Sequence, residues 1–384
     1  MADYKIKLNN NHGGKEFNSG FHFVGKVKPI KEKDKNTDNW EDIPFFSTEE
    51  EGKKKVFQFI VETALSNELK VKVTGKEKPY AYPYSRQHGK SAKVEWNKRF
   101  NKEAYPDNTY HLIEPEWDRI EKFKEIVEKD CWVEVKGKYI PYEFEAEDGK
   151  VIKGISRQIS FINPINEEGK VIIDGEVKEI KVDKNTINYV CDFQSPDFIE
   201  VNRFNMQIGI NTTYQDSETG DTKVNAVVLT NGVERSEPKD VEMMVYQKKV
   251  EQGISMADAF ASLNTYDFIE VIGQDNNRAT FAYVDVVEEI GTDDPFSQVD
   301  SSEKVTRQER VTNGDKKGLE VISYVQSSLM RELLTEEELR KTVALTSNNP
   351  FNSVNNSDDP FSQTDKDKDP FSSSNSNKDD DPFA

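Results

Sequence analysis

Between Lys76 and Lys102 the chain reads KEKPYAYPYSRQHGKSAKVEWNKRFNK, in which Lys76, Lys78, Arg86, Lys90, Lys93, Lys98, Arg99 and Lys102 face only Glu77 and Glu95. Tyr80, Tyr82, Tyr84, Trp96 and Phe100 are interleaved with these cations, and Pro79, Pro83 and Gly89 interrupt any regular helix. Aromatic faces accept unpaired bases by stacking, at about 1–3 kcal/mol per base, while neighbouring cations follow the phosphates. Together they make the chemistry of a groove for single-stranded nucleic acid. The candidate contacts are Tyr80, Tyr82, Tyr84, Trp96 and Phe100 for bases and Arg86, Lys90, Lys93, Lys98 and Arg99 for phosphates. The competing reading is a solvated loop whose aromatics fold back onto a core.

No other constellation in the sequence suggests chemistry. His12, His22, His88 and His111 are scattered, and Cys131 and Cys191 are too few for a disulfide framework or a four-thiolate metal site. A phosphate-binding glycine loop and a nucleophile elbow are both missing. The expectation is therefore a binding protein with no catalytic residues, no metal and no cofactor. The first residues lack the apolar run of a signal peptide, and no stretch reaches membrane-span length, so a cytoplasmic protein without a membrane partner is expected.

The formal net charge of −19 argues against nucleic acid until its distribution is followed. Residues 1–110 hold 21 basic and 16 acidic side chains; the remainder holds 31 basic and 55 acidic. Positive charge is concentrated where the aromatics are.

The elements needed to position that stretch follow from periodicity. After a polar arm (1–17), Phe21 to Val27 reads as a strand, and Lys55 to Thr63 and Leu69 to Thr74 as a hairpin. The basic aromatic insert (77–112) comes next. Glu114 to Lys129 then carries Trp117, Ile120, Phe123 and Val127 at helical spacing, and Cys131 to Tyr139 and Ile152 to Ile162 are strands. The order β-β-β-α-β-β matches a five-stranded Greek-key barrel of the OB type over 18–165. A connecting hairpin turns at Asp174-Gly175 (166–188). The order then repeats over 189–290, with strands Val201 to Ile210, Lys223 to Thr230 and Asp240 to Gln247, a short helix Met256 to Leu263 capped by Ser255, and closing strands Phe268 to Val271 and Thr280 to Val287. Val133-Glu134-Val135-Lys136-Gly137 aligns with Ile269-Glu270-Val271-Ile272-Gly273. The expected fold is mostly β: two five-stranded OB-type barrels in tandem, a polar linker (291–316), a short helical segment (317–345) and a disordered acidic tail (346–384). The helix is expected from the stripe Leu319, Ile322, Val325, Leu329 and Leu333, and a second short one from the capping box Thr335/Glu338.

One motif recurs near the end: Asp293-Asp294-Pro295-Phe296, Asn349-Pro350-Phe351, Asp358-Asp359-Pro360-Phe361, Asp369-Pro370-Phe371 and Asp380-Asp381-Pro382-Phe383. Phe offers an apolar anchor, Pro limits the entropy lost on docking, and the acids steer toward a basic pocket. Repetition adds multivalency. Asp359, Pro360, Phe361, Asp380, Asp381, Pro382 and Phe383 are the candidate partner contacts.

A basic aromatic barrel followed by an acidic tail carrying Asp380-Asp381-Pro382-Phe383 resembles the single-stranded DNA-binding proteins of replication, whose tail tips carry acidic residues and a Pro-Phe. Size, tandem barrels and composition point to a tailed-bacteriophage version acting in the host cytoplasm. The resemblance implies sequence-independent coating and protection of single-stranded DNA during replication, recombination and repair. It also implies recruitment of polymerase, helicase, primase or recombination proteins through the tail, and it is compatible with a homo-oligomer. Bacterial members usually have one barrel per chain, an Ile before the Pro and a terminal Phe, whereas Ala384 follows Phe383 here. The alternative is an endocytic-type interaction protein, since Asp-Pro-Phe and Asn-Pro-Phe motifs also resemble those that bind adaptors; it leaves the basic aromatic insert unexplained.

Overall fold

In Leu69-Lys70-Val71-Lys72-Val73 every second side chain is apolar and buried, while Lys70 and Lys72 turn outward. This period of two builds β1 (Ser19–Lys28), β2 (Lys54–Ala64) and β3 (Asn67–Lys76), with Ser66 in the left-handed region at the β2–β3 turn. The computed structural model describes residues 4–9, 12–33, 39–146, 149–232, 234–250, 252–278, 281–287, 306–312 and 317–340. After β3 come the insert, α1 (Glu116–Ile126), β4 (Trp132–Glu145) and β5 (Val151–Pro164). β1 pairs β2 and β2 pairs β3; β3 meets β5 in parallel at Lys72 and Gln158; β5 pairs β4, which returns to β1. Five strands thus close a ring. α1 turns Ile120 and Phe123 into its core, where Phe123 meets Phe57.

A second ring repeats this connectivity. β6 (Val201–Gln215), β7 (Thr222–Asn231) and β8 (Ser236–Val245) are followed by α2 (Met256–Ala261), which starts at a complete Ser255/Asp258 capping box. β9 (Phe268–Asn277) returns to β6. The closing strand is β10 (Lys317–Tyr324), parallel to β8 at Met243 and Leu319 and antiparallel to β9.

That closure corrects the sequence reading at two points. Thr280 to Val287 does not close the ring; Phe281–Val287 pairs instead with Thr306–Thr312, inside the expected linker. Lys317 to Leu334 is not a helix but β10 followed by a short 3-10 turn, Gln326–Ser328. Val321, Ile322 and Tyr324 favour extended backbone, and the gap between β8 and β9 supplies the hydrogen-bond partners, so the 3.6-residue stripe is overridden. The Thr335/Glu338 capping box is present and starts α3 (Glu336–Leu339).

The rings are joined strand to strand. β1 and β6 pair antiparallel from Val24 opposite Val201 to Ser19 opposite Met206, so one sheet runs through both rings and Phe21 faces Phe204 across the joint. The connecting segment holds two small hairpins, the first turning at Asp174-Gly175, and its Val171, Ile180, Val182 and Tyr189 bury Val24 and Val201 on the outer side of that joint. The polar arm is docked: Phe17 is buried, its N–H donates to the Leu229 carbonyl, and Asn9 donates to Asn231. The expected tail and every Asp/Asn-Pro-Phe motif lie outside the described residues.

Candidate nucleic-acid interface

The insert is shaped by the same alternation as the strands. From Ala81 to Arg86, Ala81, Pro83 and Ser85 are buried, whereas Tyr82, Tyr84 and Arg86 are exposed. Short pairings hold it: Tyr80-Ala81 with Val94-Glu95, and Tyr84-Ser85 with both Lys90-Ser91 and Tyr110-His111. Gly89 takes the positive φ of the turn. Beneath it, the Ser85 hydroxyl bonds Thr109 at 2.8 Å and accepts from the His88 N–H, and the His88 ring stacks on Tyr110.

The sequence-predicted residues divide into two groups. Tyr82 (55% exposed), Tyr84 and Phe100 (63%) present rings to solvent, and Arg86 and Lys90 are exposed without an ion-pair partner among the described residues. Lys78 and Lys102 are exposed in the same way. Lys93 sits over the Tyr80 ring at 3.8 Å, and Lys98 pairs with Glu95 at 2.8 Å. Trp96 is only 8% exposed, and the Arg99 guanidinium covers its face at 4.3 Å and that of Phe100 at 4.6 Å. Arg99 also forks onto Asp118 of α1, Nε to Oδ2 at 2.9 Å and Nη2 to Oδ1 at 2.7 Å, which raises its pKa above the usual arginine value. Trp96 and Arg99 therefore pin the insert to α1.

Two further surfaces of the first ring were missed on sequence. A hairpin arm between β1 and β2 pairs Lys31–Lys33 with Trp40–Asp42, placing Lys33 directly opposite Trp40, whose ring is 67% exposed. The outer face of β2–β3 aligns Gln58 with Lys72 and Ile60 with Lys70, with Lys54 and Lys76 paired at the end from which the insert departs. Burial lowers the Lys72 ammonium pKa, with Lys54 and Lys70 adding to the effect and Glu49 opposing it. The lysine alternation in LKVKVTGK was the signal for this face; Trp40 had none, because its lysine neighbour is across a strand pairing. The insert leaves the Lys54/Lys76 end of β2–β3, where the Glu77 N–H donates to the Lys53 carbonyl, whereas the arm departs from β1 level with Ile60 and its Asp42 meets Lys129 beyond α1 at 3.3 Å.

Lys54 is held by Glu49 at 2.6 Å and Lys76 by Glu50 at 3.0 Å, and the second ring pairs the cations of its corresponding face in the same way. Lys223 pairs with Glu242 at 2.8 Å, Lys239 with Glu237 at 3.0 Å, and Asp240 takes Lys153 from β5 at 2.6 Å. Its cations are matched by acids. Among the described residues no three His, Cys, Asp or Glu side chains converge as metal ligands.

No protein-family model and no curated protein matches the chain. Among solved structures it is similar to the wild-type single-stranded DNA binding protein from Thermus aquaticus, at 12% identity and a TM-score of 0.33, over 79% of this chain and 97% of that one. A deletion mutant of the same protein matches at 12% identity and a TM-score of 0.32, over 70% of this chain and 87% of that one. A likeness this slight adds no weight to the site, and its bacterial source lends nothing to the phage expectation.

Proposed function

We propose that the first ring is an OB-type barrel that binds single-stranded DNA without sequence preference, and that the acidic repeats recruit proteins of replication or recombination. The observation that carries the reading is the grouping, within the insert at the Lys54/Lys76 end of β2–β3, of exposed rings (Tyr82, Tyr84, Phe100) with unpaired cations (Lys78, Arg86, Lys90, Lys102). Rings stack bases of any identity and cations follow any phosphate, so such a surface retains strands rather than sequences. The β2–β3 lysines extend it along the barrel wall, as strands 2 and 3 do in OB folds that hold oligonucleotides. With only residues 246–255 between β8 and α2, where the first ring carries its insert, the second ring serves as scaffold. A Phe behind Pro and acids, repeated along the tail, suits a basic pocket with an apolar floor on the partner.

The test is fluorescence anisotropy of labelled oligo-dT of about 30 nucleotides, long enough to span more than one barrel, against the full chain over a salt series, with duplex and RNA controls. Tight binding selective for the single strand is expected, with log affinity falling by about 0.7 per phosphate neutralised for each tenfold rise in salt. Absence of binding at low salt would return the insert to a surface loop and leave the tail motifs as the functional part.

A further inference from the structure

We propose that the outer surface of the β5–β4–β1–β6 sheet is a second contact patch for the same strand, so that one single-stranded DNA continues from the β2–β3 face around the first ring. This rests on the reading above and extends it.

Strand register supplies the path. Lys72 on β3 stands beside Gln158 on β5, and Gln158 lies opposite Lys138 on β4. One row further, Phe161 lies opposite Lys136, Lys136 opposite His22, and His22 opposite Arg203. These side chains share the outward face, because their neighbours Ile159, Ile162, Val135, Phe21, Phe23 and Phe204 are buried in the common core. With strands about 4.8 Å apart, the row from Phe161 to Arg203 covers about 14 Å, room for several nucleotides.

The chemistry repeats that of the insert. Phe161 is 62% exposed. One exposed ring needs no explanation by itself; set in a row with Lys136 and Arg203 and next to Lys138, it pairs a stacking face with cations. Lys138 is exposed and has no partner among the described residues. The Arg203 side chain is 23% exposed and stands 3.6 Å from Asp183; its Nε and Nη1 are buried and make no hydrogen bond among the described residues. The nearby acid, Glu134, is buried and engaged by His22 at 2.8 Å, Lys136 at 2.7 Å and Asn163 at 2.9 Å. Burial alone would raise its pKa, but the bonds from His22 and Lys136 bring it down to about 2, so it stays ionised and fixes Lys136 in the row.

The experiment compares oligo-dT of about 12 nucleotides, within the span of one barrel, with one of about 35, on the full chain and on the double variant Phe161→Ala/Lys138→Ser. Both residues are exposed, and an unchanged thermal melt will show that the fold is kept. The expected result is unchanged affinity for the short strand and about ten- to hundredfold weaker binding of the long one, with a salt slope shallower by about 0.7. Equal weakening at both lengths would assign the two residues to the first face and overturn a separate patch; unchanged binding at both would also overturn it. A parent chain that binds the short strand and gains nothing with length would refute the patch alone, whereas one that binds neither strand would refute the underlying reading as well.

Discussion

Arg99 shows how far a side chain's role depends on its neighbours. By sequence it joins the phosphate contacts; in the structure Asp118 occupies its fork, and the rings of Trp96 and Phe100 lie within 4.6 Å of it. A bidentate pair of this kind fixes geometry, so the residue positions the insert instead of neutralising the strand. Affinity and salt dependence separate these roles. Arg86→Ala and Lys90→Ala each remove a free cation and are expected to flatten the salt slope by about 0.7 with modest loss of affinity. Arg99→Ala should weaken binding while leaving the slope unchanged, and Asp118→Asn should do the same although Asp118 carries the wrong sign for DNA. Slopes from oligo-dT titrations decide this; a flatter slope for Arg99→Ala would mean that the fork opens to a phosphate in the complex. The aromatic content of the site was legible because Tyr82, Tyr84 and Phe100 are close in sequence to their cations. Which rings face solvent was not, since the burial of Trp96 depends on Asp118, 22 positions away.

At the level of elements, period-two runs were enough to place β1 to β5 and most of the second ring, and helix spacing was enough for α1 and α2. β10 was hidden, because Leu319, Ile322 and Val325 suit a helix face as well as a strand, and only the gap between β8 and β9 selects the strand. The short match between Val133–Gly137 and Ile269–Gly273 proved more informative than its length suggested. Pairing with the closing strand shifts register at the same place in both rings, between Lys136 and Gly137 and between Ile272 and Gly273. A Cβ on Gly137 would collide with the Gln158 carbonyl and the Phe21 ring; one on Gly273 would collide with the Glu320 carbonyl and the Phe204 ring. Glycine lets strand one press its phenylalanine against strand four, and both rings use that device. Gly137→Ala and Gly273→Ala are each expected to cost about 1–3 kcal/mol or more, because backbone rather than a flexible side-chain end must yield. Thermal melts test this, and a midpoint equal to the parent's for either variant would show that the strand shifts freely.

On the scale of the whole molecule, the rings share a sheet and a buried polar knot, and together these predict one unfolding transition. Asp275 of β9 is fully buried and accepts from the Tyr139 hydroxyl at 2.7 Å, from Arg157 Nε at 2.6 Å and from Arg157 Nη2 at 2.7 Å, both partners belonging to the first ring. Its carbonyl accepts from Asn202 at 2.9 Å and from Asn67 at 3.3 Å. Nearby, Glu200 accepts from Thr63 at 3.0 Å and Asn67 at 2.7 Å and pairs with Arg278. If the rings separated, Arg157 and Asp275 would each lose the partner that offsets burial of their charge, and the β1–β6 hydrogen bonds would open as well. The four tryptophans, Trp40, Trp96, Trp117 and Trp132, all precede the second ring; the first three report the first ring and Trp132, packed on Tyr189 and Phe193, reports the joint, whereas far-ultraviolet circular dichroism reports both rings. In urea the two signals should change together, as coincident probes do in a two-state transition. Asp275→Asn, a substitution in the second ring, leaves Arg157 uncompensated and should lower the tryptophan-reported stability of the first ring by about 3–5 kcal/mol. Two separated transitions in the parent, or a tryptophan midpoint unmoved by Asp275→Asn, would mean that each ring stands by itself and that the shared sheet couples them only weakly.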